Sequence, residues 1–66
     1  MKIGNKIKEL RIEKGLSQAQ LGKYVGVSQK AIDYWERCVN EPKSSYVILL
    51  VKTFEISFDE FFEDVE

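Results

Sequence analysis

Five polar side chains between Ser28 and Arg37 define the chemistry open to this chain. Gln29, Lys30, Asp33, Tyr34 and Arg37 fall on one side of a helical projection, with Ile32 and Trp35 on the other. A glutamine amide bonds in a bidentate way to N6 and N7 of adenine. A lysine donates to O6 and N7 of guanine, and a carboxylate accepts from N4 of cytosine. Tyr34 adds a hydroxyl and an apolar ring edge that suits the methyl group of thymine. The competing, plainer reading is a solvated polar face of the kind every small domain carries. A second feature points to anions. Gln18 begins a helical segment, where backbone N–H groups and the helix dipole face outward and favour negative charge.

Other chemistries lack their residues. The chain has no His and a single Cys, so no zinc cluster and no internal disulfide can form. No Gly-rich phosphate loop and no nucleophile–base set can be assembled. No enzyme activity, cofactor, metal or small-molecule substrate is expected. Asp59, Glu60, Glu63 and Asp64 lie at the start and outer face of a C-terminal helix, where the dipole accounts for the acidic residues. Cys38 is read as an inert thiol, because no lysine-rich or resolving-Cys surroundings are evident.

Net charge is −1, yet it is divided unevenly. Residues 1–43 hold nine basic and five acidic residues, whereas residues 44–66 hold one basic and six acidic. A phosphate backbone responds to local patches, not totals. A basic front and an acidic rear would orient the domain on such a partner. The 66 residues suffice for a single domain, 1–66, with 44% hydrophobic and 32% charged residues. The longest apolar run, Val47 to Val51, is too short to span a bilayer. The N-terminus has no apolar core of a signal peptide. A cytoplasmic location without membrane contact is expected.

The residues must be positioned by helices, and the starts and stops are legible. Ser17 with Gln20, and Ser57 with Glu60, form capping boxes. Leu16 with Leu21, and Ile56 with Phe61, supply the matching hydrophobic staples. Ser28 has the staple, Val27 to Ile32, but no Glu or Gln three residues on. Five helices are predicted, at about 3–14, 17–24, 28–37, 44–54 and 58–64. Their apolar residues recur at helical spacing: Ile3, Ile7 and Leu10; Val47, Leu50, Val51 and Phe54; Phe58, Phe61, Phe62 and Val65. The phenylalanines of the last helix are expected in the core. Gly15 stops the first helix, and Gly26 supplies the sharp turn between the second and third. No segment alternates with period two long enough for a strand. The expectation is a compact all-α domain with a helix-turn-helix made by helices 2 and 3.

Leu10-Arg11, Gly15-Leu16-Ser17-Gln18, Leu21, Gly26-Val27-Ser28-Gln29, Ile32, Trp35-Glu36, Pro42, Phe54-Glu55-Ile56-Ser57 and Asp59-Glu60-Phe61 recur in this order over almost the whole chain. In these residues the sequence resembles the phage-repressor and Cro-type (XRE-like) helix-turn-helix family, which implies a five-helix lambda-repressor-like fold. The resemblance implies that helix 28–37 enters the major groove of double-stranded DNA, with Gln29, Lys30 and Tyr34 as base readers. Asp33 is an open case between accepting from cytosine and standing as a surface carboxylate. The resemblance makes Gln18 a phosphate ligand and Lys43, Ser44 and Ser45 a second phosphate clamp. Ser44 would also be an N-cap. Ser28 and Arg37 join the phosphate-binding set. Arg11 and Glu36 are implied to be a structural ion pair. The sequence departs from the family at three places. Gly22 replaces a usual Ala, at a helix-propensity cost of up to about 1 kcal/mol. Cys38 replaces a common Gly, and Val47 to Val51 is unusually apolar.

The leading functional reading is a sequence-specific transcriptional regulator, a repressor by resemblance, bound as a homodimer to a two-fold-symmetric operator. Ile48 and Leu49 lie off the core stripe of helix 4. With Phe62 and Val65 they form the candidate dimer interface, unless those two C-terminal residues bury them. A second reading is a protein-interaction module of the antitoxin or anti-repressor type, working through a protein partner on helices 4 and 5.

Overall fold

The computed structural model describes residues 1–66. Its elements are α1 (Ile3–Glu13), α2 (Gln18–Val25), α3 (Gln29–Glu36), α4 (Ser44–Phe54) and α5 (Phe58–Phe62). There is no strand, so the all-α, five-helix expectation holds. No helix is long and apolar enough to cross a membrane.

Three helix starts follow from their serines. Ser17 Oγ accepts from the Gln20 N–H at 3.0 Å, and Gln20 Oε1 accepts from the Ser17 N–H at 2.8 Å. Ser57 and Glu60 repeat the arrangement at 3.1 and 3.5 Å. Ser28 Oγ accepts from the Ala31 N–H at 3.1 Å, without a reciprocal bond because Ala31 has no acceptor. The start of α4 differs from expectation. Lys43, not Ser44, is the N-cap, and no side chain caps the helix. Ser44 already has helical geometry, so its hydroxyl is not placed as an N-cap acceptor.

Four helices end in one way. The N–H groups of Leu16, Val27, Val39 and Ile56 bond to carbonyls five residues back, those of Arg11, Gly22, Tyr34 and Val51. The residue before each is left-handed: Gly15 (φ 71°), Gly26 (φ 83°), Cys38 (φ 62°) and Glu55 (φ 56°). This is the Schellman termination, for which glycine is the unstrained choice. Cys38 and Glu55 carry a Cβ there at a cost of about 1–2 kcal/mol each. The last helix is shorter than expected. It stops at Phe62, because Glu63 turns extended (ψ 129°) and Asp64 is left-handed (φ 63°).

The core draws on every helix: Ile7 and Leu10, Leu21 and Val25, Ile32 and Trp35, Val47, Leu50, Val51 and Phe54, and Phe61. Only one α5 phenylalanine is fully inside. Phe58 and Phe62 are 50% and 44% exposed, which corrects the expectation of a phenylalanine core. A helix of little more than one turn points one such side chain inward. Phe62 instead lies edge-on to Phe61, with centroids 5.1 Å apart. Gly22 is also more than a propensity cost. A Cβ there would stand 2.6 Å from the Val27 carbonyl oxygen. The Gly22 carbonyl accepts from the N–H groups of Gly26 and Val27 at 2.8 and 2.9 Å. The absent side chain lets the turn close against α2.

Candidate nucleic-acid interface

Three residues, Gly26 to Ser28, separate α2 from α3. That short turn fixes the two helices closely, as a helix-turn-helix requires. On α3, Ile32 and Trp35 are buried, which turns the opposite face outward. Gln29, Lys30 and Arg37 are exposed, and Asp33 and Tyr34 are half-buried. The structure therefore brings the five polar residues onto one accessible face.

These side chains are organised among themselves. Lys30 Nζ and Arg37 Cζ each lie 5.5 Å from the centroid of the Tyr34 ring, within cation–π range. Arg37 Nε donates to Asp33 Oδ2 at 3.0 Å. Behind the face, Glu36 is almost fully buried and forms a bidentate pair with Arg11. Arg11 Nε donates to Oε2 at 2.6 Å and Nη2 to Oε1 at 3.0 Å. Arg11 Nη1 also donates to the Leu16 carbonyl at 2.8 Å. The hydrogen bond to Glu36 holds the Arg11 guanidinium above its ordinary pKa; burial opposes this, and the Glu36 charge adds to it. This pair ties α1, the start of the α2 segment and the end of α3 into one unit.

Gln18 lies where α2 meets α3, and its amide is turned inward. Nε2 donates to Glu36 Oε1 at 3.1 Å and, at a long 3.4 Å, to Asp33 Oδ1. Both amide hydrogens thus have carboxylate partners. The donors left at this helix start are the backbone N–H groups of Gln18 and Ala19, which no protein group accepts. The same holds for the N–H groups of Gln29 and Lys30 at the start of α3, and of Ser44 and Ser45 at the start of α4. Ser28, Lys43, Ser44 and Ser45 are all exposed.

The start of α4 adjoins the α3 face. Lys43 and Tyr34 line one shallow depression together with Val27, Ala31 and Tyr46. The Tyr46 ring packs 5.6 Å from that of Trp35, anchoring the start of α4 to α3. The sequence reading did not single out Tyr46, although it precedes Leu50 by four residues and so shares the inner face of α4. Away from this region, Ile48, Leu49 and Phe62 are exposed and Val65 is half-buried. Ile48 and Leu49 keep 45% and 38% of their surface exposed.

Comparison with known proteins extends the likeness over the whole architecture. The family model described as Helix-turn-helix matches residues 7–61. An uncharacterised HTH-type transcriptional regulator of Rickettsia conorii is 33% identical over 64 residues, which cover 97% of this chain and 51% of that protein. Repressor protein C2 of Salmonella phage P22 is 40% identical over 57 residues, covering 86% of this chain and 26% of that protein. The chain thus spans about half the length of the first relative and about a quarter of the second. The crystal structure of the P22 c2 repressor with a synthetic operator aligns with a TM-score of 0.85 at 36% identity, covering 96% of each chain. The chain belongs to the helix-turn-helix family.

Proposed function

We propose that residues 1–66 form the DNA-binding module of a sequence-specific transcriptional regulator, a repressor, that acts in the cytoplasm by binding and not by catalysis. The observation that carries the proposal is the exposed α3 face, set between two helix starts with unpaired N–H groups. In this reading α3 lies in the major groove. Gln29, Lys30 and Tyr34 meet base edges, and Asp33 lies among them. The N–H groups at the starts of α2 and α4, with Ser28, Lys43, Ser44, Ser45 and Arg37, hold phosphates on either side. The operator-bound P22 c2 repressor structure supports this docking.

Two copies on a two-fold-symmetric operator would multiply the few contacts one reading helix makes. The exposed Ile48, Leu49 and Phe62, with the half-buried Val65, are the residues proposed for that dimer. The same exposed surface, in the acidic half of the chain, supports a second reading in which a protein partner docks on α4 and α5. Selection from a random duplex library at fixed, near-physiological salt separates the two. Enrichment of a two-fold-symmetric motif supports the dimeric regulator. No enrichment overturns sequence-specific readout by α3 and favours the protein partner. Gln29→Ala is expected to weaken binding to the selected site far more than to random duplex, and equal loss on both would remove it from the readers.

A further inference from the structure

We propose that Asp33 is a specificity gate. It withholds Arg37 from phosphate on ordinary duplex and releases it where a cytosine N4 amine takes the carboxylate. The inference rests on the reading of α3 as the groove helix.

Asp33 is the one accessible carboxylate on the α3 face, since Glu36 is buried and committed to Arg11. Both Asp33 oxygens are occupied in the free protein. Oδ2 accepts from Arg37 at 3.0 Å and Oδ1 from Gln18 at 3.4 Å. Gln18 is itself fixed by Glu36, so the carboxylate has a second, weaker restraint beside Arg37. Arg37 is restrained twice as well, by Asp33 four residues back and by the Tyr34 ring. While paired, Arg37 brings no net charge to a phosphate, and Asp33 brings no net repulsion. The pair is solvated, with side chains 59% and 36% exposed, and exposed ion pairs at this spacing are weak. It therefore exchanges readily when both partners find better ones. Random sequence offers phosphate to Arg37 but leaves Asp33 an unpaired anion among anions. A cytosine at the right step offers the carboxylate an N4 donor, and only then is Arg37 free to leave at little cost. Arg37 thus makes a phosphate contact whose strength depends on base identity.

The test measures binding of the domain to a random-sequence duplex by fluorescence anisotropy, at salt from about 50 to 200 mM. Asp33→Asn keeps the shape and removes the charge. It is expected to bind random duplex more tightly than wild type. Its plot of log affinity against log salt should be steeper by about 0.9, the increment for one more phosphate neutralised, so its advantage grows about eightfold for each tenfold fall in salt. Arg37→Gln added to Asp33→Asn should abolish the increment. Arg37→Gln alone uncovers the Asp33 charge and should weaken binding to random duplex, yet it should weaken binding to the library-selected site more, because the Arg37 phosphate contact is made only there. An Asp33→Asn slope equal to or shallower than wild type overturns the gate. So does an Arg37→Gln loss that is equal on the selected site and on random duplex, because the Arg37 contact is then independent of base identity. If circular dichroism shows Asp33→Asn unfolded, Arg37→Gln alone carries the test. A wild-type domain without salt-sensitive duplex binding overturns the functional reading and the gate together. Failure in the variants alone overturns only the gate.

Discussion

Glu36→Ala strands a cation inside the fold. The Arg11 side chain is 13% exposed and that of Glu36 is 3% exposed, so little water replaces the lost carboxylate. Arg11 would keep one protein acceptor, the Leu16 carbonyl at 2.8 Å, and Gln18 would lose its shorter partner. Removing one member of a buried pair typically costs about 3–5 kcal/mol. The residual exposure of Arg11 and its remaining carbonyl argue for the lower end, about 3 kcal/mol. A 66-residue domain has only about 3–10 kcal/mol to lose. At a urea slope of about 1 kcal/mol per molar, the unfolding midpoint should fall by about 3 M. Arg11→Met should cost a similar amount, since it leaves the Glu36 carboxylate with Gln18 alone.

The decisive variant carries both changes. Replacing a buried pair by apolar residues of similar volume is often neutral. Arg11→Met with Glu36→Leu should therefore be more stable than either Arg11→Met or Glu36→Leu alone, with a coupling energy of about 2–3 kcal/mol in the cycle. Additive losses would refute the claim that these side chains act as a unit. The pair should add little pH dependence through Arg11. Its folded pKa is raised, so its contribution is complete below its ordinary value and fades only as pH rises through the folded one, far above neutral.

Gly22→Ala gains about 1 kcal/mol of helix propensity, yet its methyl meets the Val27 oxygen at 2.6 Å. Forcing that turn open should leave a net loss of about 1–3 kcal/mol in urea unfolding, and any net gain would show that the turn yields freely. Cys38→Gly removes the Cβ from a left-handed residue and should raise stability by about 1 kcal/mol, or roughly 4–8 °C in thermal melting. An unchanged or lowered melting temperature would mean that thiol packing outweighs the backbone strain. Gln18→Ala should weaken the selected operator and random duplex equally, because it loosens the α2 start that donates N–H groups to phosphate. A loss confined to the operator would assign Gln18 to base readout instead.

Much of the fold was legible because local rules and tertiary packing agree. Ser17, Ser28 and Ser57 set helix starts by hydrogen bonds to N–H groups three residues away, which depend only on neighbours in sequence. The buried face of α3 follows from the spacing of Ile32 and Trp35. What misled was tertiary. The helical spacing that groups Phe58 and Phe62 with Phe61 does not reveal that α5 ends at Phe62, before a second inward turn can form. Gly22 reads as a weak helix residue until the Val27 carbonyl is seen above it. Lys6, a charged residue one position before the core residue Ile7, is only 8% exposed. No buried polar atom lacks a partner, so its stem is covered while its ammonium reaches water. The site was legible as a set of residues but not as a network. Spacing puts Gln18 at a helix start, and nothing in spacing shows its amide turned toward Glu36 and Asp33.

That network changes how the charge of the face is understood. From Gln29 to Arg37 the chain carries two cations and two anions, so α3 with its C-cap is formally neutral. Arg11, from α1, neutralises Glu36, and Asp33 neutralises Arg37, leaving Lys30 as the unpaired cation of the helix. In the proposed docking, Lys43 and the unpaired N–H groups at three helix starts would then carry much of the attraction to phosphate. Backbone donors are fixed in direction, unlike lysine ammonium groups, and reward one docking pose over its neighbours. In the proposed reading, a face built in this way would give up general affinity for duplex and keep its selectivity, which is the balance a regulator needs among a large excess of competing sites. A net charge of −1 is therefore compatible with the proposed DNA binding, since a phosphate backbone responds to local charge and not to the total.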